Sequence, residues 1–169
     1  MQTDSKILTA GAVVKEIKKC GITHVIWLPD SSSRFLYDDL LSEPQFTFVP
    51  VCREGEAIAI AAGLILGNKS PLVMQQNTGL FESGDSIRGL ALDYKLPLLM
   101  FIGYKGWRQG SPMTDSVAIY TEPFIDSWGI KHYLVDNDEH ADRISLGYRE
   151  AHETQKPVAI LIAKDRKEG

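Results

Sequence analysis

Six short apolar runs, rich in β-branched and aromatic residues, alternate with longer stretches of helical spacing. This alternation constrains the fold more than any other feature of the 169 residues. The runs are Thr23–Leu28, Phe46–Val51, Pro71–Gln76, Pro97–Ile102, Lys131–Val135 and Pro157–Ala163. Most are hydrophobic at nearly every position rather than at alternate ones, as strands covered on both faces must be. Between them, Thr9–Cys20 brings Ala12, Val13, Ile17 and Cys20 onto one stripe, with Thr9 as a plausible N-cap. Glu54–Leu66 is apolar on almost every side, and Ser86–Tyr94, Ser116–Trp128 and Glu139–Thr154 complete the helical set. Turn residues close several of these stretches, at Cys20-Gly21, Gly67-Asn68 and Trp128-Gly129. The pattern predicts an α/β fold: one domain over residues 1–169, three layers α/β/α, with about six mostly parallel strands.

Composition removes several classes of function. The chain is 44% hydrophobic, too apolar for a disordered chain, and its 2 Cys are too few for a disulfide scaffold. With 18 Lys+Arg against 22 Asp+Glu the net charge is −4, which argues against nucleic acid or an anionic membrane as the main partner. It leaves room for a local cluster of cations around a small anion. Cys20 and Cys52 form no CxxC, so neither a metal motif nor a redox motif is present, and two buried thiols are expected. The histidines His24, His132, His140 and His152 are scattered without ligand spacing, so no metal site is expected. The polar start, Met1-Gln2-Thr3-Asp4-Ser5-Lys6, lacks the apolar segment of a signal peptide. The longest apolar run, Ala57–Gly67, is 11 residues, against ~20 needed to cross a bilayer. A soluble, cytoplasmic protein is the expectation.

Ligands of such sheets bind outside the carboxyl ends of the strands, so four connections matter. In the first, Pro29-Asp30-Ser31-Ser32-Ser33, Asp30 either caps the next helix or faces a ligand. In the second, Cys52-Arg53-Glu54-Gly55-Glu56, two carboxylates open the apolar helix. The helix dipole alone favours them there. A carboxylate at the mouth of a buried helix is also partly desolvated, which makes its proton useful, and Glu54 and Glu56 are both candidates. The third, Gln75 to Asp85, is rich in amides, hydroxyls and glycine and reads as a long loop that hydrogen-bonds a small molecule. It has no GxxxxGK[ST] or GxGxxG phosphate motif. The fourth, Gly103 to Pro112, sets Lys105 and Arg108 among aromatics and glycines. It is either a mobile segment that closes over an anion or an ordinary solvated loop.

The run Cys52-Arg53-Glu54-Gly55-Glu56-Ala57-Ile58-Ala59-Ile60-Ala61-Ala62-Gly63 resembles the E-x-x-A-x-x-A-A-x-G signature of pyrimidine-binding (PYR) domains in thiamine-diphosphate-dependent decarboxylases. Leu28-Pro29-Asp30, Gln76-Asn77-Thr78-Gly79-Leu80 and Ser83-Gly84-Asp85-Ser86 resemble the branch that holds sulfopyruvate decarboxylase α chains and the N-terminal half of phosphonopyruvate decarboxylases. The likeness implies a PYR-type domain. It also implies that Glu54, nine residues before Gly63, hydrogen-bonds the aminopyrimidine of the cofactor. It lays Asn77, Thr78 and Gly79 along the pyrimidine and the reacting centre, with Asn77 also near substrate, and Asp30 near an acid that protonates the reaction intermediate. Arg108 and Lys105 are candidates to hold a sulfonate or phosphonate, on charge and loop position. The adjacent His-His pair of yeast-type pyruvate decarboxylases is missing.

The same resemblance implies a partner. Family members bind the cofactor diphosphate through Mg²⁺ in a second, diphosphate-binding (PP) domain marked by GDG and NN, and this chain has neither. A separate β subunit would then carry the PP domain and the Mg²⁺, in a hetero-oligomer with several copies of each chain. The apolar Ala57–Leu66 helix would pack at the boundary. The expected activity is decarboxylation of a small anionic 2-oxo acid, sulfopyruvate first and phosphonopyruvate next. A non-catalytic small-molecule-binding module of the same fold is the alternative, against which the retained Glu54 argues.

Overall fold

A computed structural model describes residues 7–164 of the chain. The polar run Met1–Lys6 lies outside the described residues. The elements match the predicted alternation. They are α1 (Ala10–Lys19), β1 (His24–Trp27), a 3₁₀ turn (Arg34–Leu36), α2 (Tyr37–Ser42), β2 (Thr47–Pro50), α3 (Glu54–Leu66) and β3 (Pro71–Gln76). Next come α4 (Asn77–Glu82), α5 (Gly84–Ser86), a π-helical segment (Ile87–Leu92) and β4 (Leu99–Gly103). The last elements are α6 (Ser116–Ser127), β5 (Lys131–Val135), a 3₁₀ turn (Asp138–His140), α7 (Arg143–Thr154) and β6 (Val158–Ile162).

The strands form one sheet in the order β2-β1-β3-β4-β6-β5, and every pairing is parallel. Side chains alternate between the two faces, so each strand feeds two cores. Ile26, Val73, Met100, Ile102 and Leu161 pack beneath α3, α4, the π-helical segment and α6. Val25, Trp27, Met74, Phe101 and Ile160 pack beneath α1, α2 and α7. The result is a three-layer α/β/α architecture.

Local signals explain the helix ends. The Thr9 hydroxyl caps α1 by accepting from the Ala12 N–H, as its sequence predicts. The Asp115 carboxylate does the same for α6 through Val117. Two expectations change at the sheet edges. β2 and β5 are the outer strands, and β2 is exposed at both ends and only half-buried between them, so its apolar run covers one side rather than two. Cys52, two residues beyond β2, is exposed while Val51 before it is buried, so only Cys20 is a buried thiol. Burial pushes the Cys20 thiol up to about 11, with the Glu16 carboxylate adding to the effect.

The third connection is also different from its reading as a loop. Asn77–Glu82 is helical directly from the last residue of β3, and two further short helical segments come after it. Its polar residues therefore leave a helix in fixed directions, Asn77 toward the β4–α6 connection and α6, and Glu82 toward the start of α3. Among the described residues no helix is long and apolar enough to cross a membrane.

Candidate active site

The connections after β1, β2, β3 and β4 meet at the carboxyl end of the sheet. Glu54 begins α3 and is half-buried, whereas Glu56, two residues on, is exposed. The Glu54 side chain lies flat against Gly79 in α4. A Cβ on Gly79 would fall 2.6 Å from Glu54 Cδ and closer still to Cγ and Oε1. Only glycine therefore permits this carboxylate to sit where it does, and the two residues are 25 positions apart in the chain (79 − 54).

Glu54 does not cap its own helix. The orphan N–H of Gly55 donates 2.9 Å to Oε2 of Glu82, and the Arg53 guanidinium bonds Oε1 of Glu82 through Nε at 3.0 Å and through Nη2. That pairing with Arg53, then the Gly55 N–H, holds the Glu82 carboxyl below the usual carboxylate range. Glu82 thus serves the helix terminus and the neighbouring cation. The Glu54 carboxyl receives no hydrogen bond from another described residue. It is left as an acceptor, or when protonated a donor, for a ligand.

Asp30, Asn77 and Thr78 are engaged within the protein. Asp30 Oδ1 accepts from the backbone N–H groups of Ser32 (2.6 Å) and Ser33 (3.1 Å), and its other oxygen accepts from the Ser33 hydroxyl. This is an Asx-type turn that fixes the chain after β1. Gln76, at the end of β3, ties that turn to the neighbouring strand by donating 3.0 Å to the Ser32 hydroxyl and accepting from Thr78 Oγ1 at 3.1 Å. Asn77 is fully buried, and its amide N–H groups reach Lys105 O (3.0 Å), Thr121 Oγ1 (3.1 Å) and Val117 O (3.4 Å). Its amide therefore faces the β4–α6 connection and α6. The Asn77 Oδ1 atom is buried without a partner among the described residues.

The β4–α6 connection carries Lys105 and Arg108, both exposed, on the rim of a cavity of about 440 Å³. Gly106 anchors it with φ +83°, at a point where a Cβ would fall 2.8 Å from Asp115 Cβ. Beneath the cavity the buried Tyr104 hydroxyl donates to Glu122 Oε1 at 2.8 Å. Burial first, and the Glu122 carboxylate second, push this phenol well above its ordinary value, so it stays protonated. Glu122 in turn lies 3.6 Å from His132, whose other ring nitrogen is 3.4 Å from Asp126.

The structure therefore brings Glu54 and Gly79 into contact, and joins Asn77 to the connection that holds Lys105 and Arg108. Asp30 stands apart from Glu54 in this network, linked to β3 only through Gln76. Sequence reasoning passed over Glu82, Gln76 and Thr121. Glu82 falls within the polar Gln75–Asp85 connection and Thr121 within the Ser116–Trp128 helix without being singled out, and only tertiary contact reveals their tasks. Among the described residues no group of three or more His, Cys, Asp or Glu is arranged to hold a metal ion.

The fold is similar to that of a solved decarboxylase. The crystal structure of benzoylformate decarboxylase from Polynucleobacter necessarius matches with a TM-score of 0.68 over 96% of this chain and 33% of that one, at 20% identity. The match spans a third of that longer chain. No family model matches the sequence. The sulfopyruvate decarboxylase subunit alpha of Methanococcus maripaludis is 32% identical over 153 residues, which span 89% of this chain and 92% of that protein. The phosphonopyruvate decarboxylase of Streptomyces viridochromogenes is 28% identical over 85% of this chain but only 38% of its own length. The chain belongs to the family of sulfopyruvate decarboxylase α subunits.

Proposed function

We propose that this chain is the pyrimidine-binding subunit of a thiamine-diphosphate-dependent 2-oxo acid decarboxylase, acting on sulfopyruvate to give sulfoacetaldehyde and CO₂. One observation carries the reading: a half-buried carboxylate, Glu54, is seated on a glycine at the mouth of an apolar helix while Glu82 takes over the capping task beside it. Its free hydrogen-bonding capacity fits the nitrogen of an aminopyrimidine, and Gly79 leaves the adjoining helix face without a side chain. When bound, thiamine diphosphate supplies the nucleophilic carbon and the electron sink for loss of CO₂. Glu54 holds and shares the proton at the pyrimidine nitrogen. Partial burial at the helix mouth keeps competing water away from it. Thr78 and Gly79 flank the same space, and Asp30 lies across the sheet end as a candidate to steer a proton. Lys105 and Arg108 supply positive charge for an anionic substrate.

Residues 1–169 make up a PYR domain in this reading. The diphosphate and its Mg²⁺ belong to a PP domain on a β subunit, in a cytoplasmic hetero-oligomer with several copies of each chain. The outer face of α3 supports that arrangement. Ala59, Gly63 and Leu66 succeed one another at helical spacing and are exposed, Leu66 to 75%. A stripe of this composition on a solvated surface fits a protein partner. The test is to co-express the chain with a GDG- and NN-containing partner and assay CO₂ release from sulfopyruvate. Activity with phosphonopyruvate alone would move the substrate to the other branch of the family.

A further inference from the structure

One face of α4 is turned to the start of α3. Gly79 and Glu82 stand three residues apart on that short helix, a spacing that makes them neighbours on one face. Between them they hold three consecutive residues. Gly79 seats the Glu54 side chain, and Glu82 takes the residues on either side of it. Its Oε1 accepts from the Arg53 guanidinium and its Oε2 from the Gly55 N–H. The fit is close here too, since a Cβ on Gly55 would fall 3.1 Å from Ser86 Oγ and 3.5 Å from Glu82 Oε2.

Both groups that Glu82 engages are also attractive to Glu54. Glu54 lies in the first turn of α3, where orphan N–H groups and the helix dipole draw a carboxylate inward. Arg53 directly precedes it. Pairing with Glu82 raises the affinity of that guanidinium for its proton, and the Glu54 and Glu56 carboxylates add to the effect through space. The Arg53 side chain is 77% exposed, so it has room to turn toward another carboxylate. Two donors on one Glu82 oxygen fix its direction instead.

We infer that Glu82 is a positioning residue for Glu54: by engaging Arg53 and the Gly55 N–H together, it withholds both from Glu54 and reserves that carboxylate, seated on Gly79, for the ligand. The inference deepens the proposed function and rests on it for the identity of the ligand as an aminopyrimidine. An ion pair between Arg53 and Glu54 would draw the acid off Gly79 and oppose its sharing of a proton.

The first measurement needs neither cofactor nor turnover. In the full chain labelled with ¹⁵N, the Arg53 Nε–H resonance reports its acceptor. In Glu82→Gln the side-chain oxygen still accepts from the Gly55 N–H, but an NH₂ group faces the guanidinium and releases it. Adding Glu54→Gln to that variant should then shift the Arg53 resonance, whereas adding Glu56→Gln should leave it in place. A resonance that ignores Glu54, or follows Glu56 instead, overturns the inference. The second measurement uses the α–β complex with thiamine diphosphate and Mg²⁺. Glu82→Gln is expected to lower kcat for sulfopyruvate by roughly tenfold with KM changed by less than about twofold. Adding Arg53→Gln removes the rival cation and should recover most of kcat while the urea midpoint stays low. A purely structural role predicts no recovery, because the double variant lacks both halves of the tie, and that result overturns the inference. A wild-type complex that releases no CO₂ from sulfopyruvate would overturn the decarboxylase reading alone, since the resonance still decides the role of Glu82.

Discussion

Glu54 and Gly79 are shaped to each other: the carboxylate that opens α3 occupies the space a side chain on α4 would need. The close contact makes the acid's position depend on a residue that does no chemistry itself. In Gly79→Ala the added methyl must push Glu54 out of place. Activity of the assembled enzyme should fall by roughly a hundredfold, the scale of lost general acid–base catalysis. Thermal unfolding should change little, because alanine favours helix by up to about 1 kcal/mol over glycine and offsets part of the clash. Parallel kinetic and calorimetric measurements on one preparation check both halves.

Glu82 gives a stability prediction with a definite sign. Its folded carboxyl is held below its ordinary value by Arg53 and by the Gly55 N–H. The stabilisation is therefore complete above the unfolded carboxylate value near 4.3 and is lost as pH falls through the lower folded value. Glu82→Gln should unfold at a lower urea concentration than wild type near neutrality. The difference should shrink as pH drops below about 4. An equal gap across that range would contradict the role of Glu82 at the start of α3.

Asn77 should behave as a structural tie. Removing its amide in Asn77→Ala leaves Lys105 O and Thr121 Oγ1 short of a donor, while Val117 O keeps the Thr121 hydroxyl, and should cost about 2 kcal/mol in chemical denaturation. Asn77→Asp replaces the donor with acceptors facing acceptors, so it should cost more than the alanine variant. The opposite ranking would show that the amide is not what holds the β4–α6 connection.

The exposed stripe on α3 predicts a separation of folding from assembly. Leu66→Glu sits at a site 75% exposed, so the isolated chain should keep its stability within about 0.5 kcal/mol. Co-purification with the β subunit should be lost. Retained association would place the interface elsewhere.

The layered fold was legible because parallel strands covered on both faces leave unbroken apolar runs, as at Val158–Ile162 and Leu99–Gly103. The edge strands were less so, since a short apolar run such as Phe46–Val51 does not say whether one side or two is covered. The polar segment after β3 read as a loop because a helix that buries Asn77 and Gly79 at the sheet end carries no ordinary amphipathic stripe. Glu54 could be picked from Glu56 only by resemblance. The physical distinction, contact with Gly79 and a cap supplied by Glu82, joins residues more than 20 positions apart.

The proposed chemistry turns on Glu54 as the acid of a decarboxylase subunit. The decisive assay is CO₂ release from sulfopyruvate with the α and β chains, thiamine diphosphate and Mg²⁺ combined, comparing wild type with Glu54→Gln and with Glu56→Gln as the exposed control. Robust turnover is expected from wild type and from Glu56→Gln, with a loss of at least about a hundredfold in Glu54→Gln. Turnover by Glu54→Gln at the wild-type rate would contradict that role.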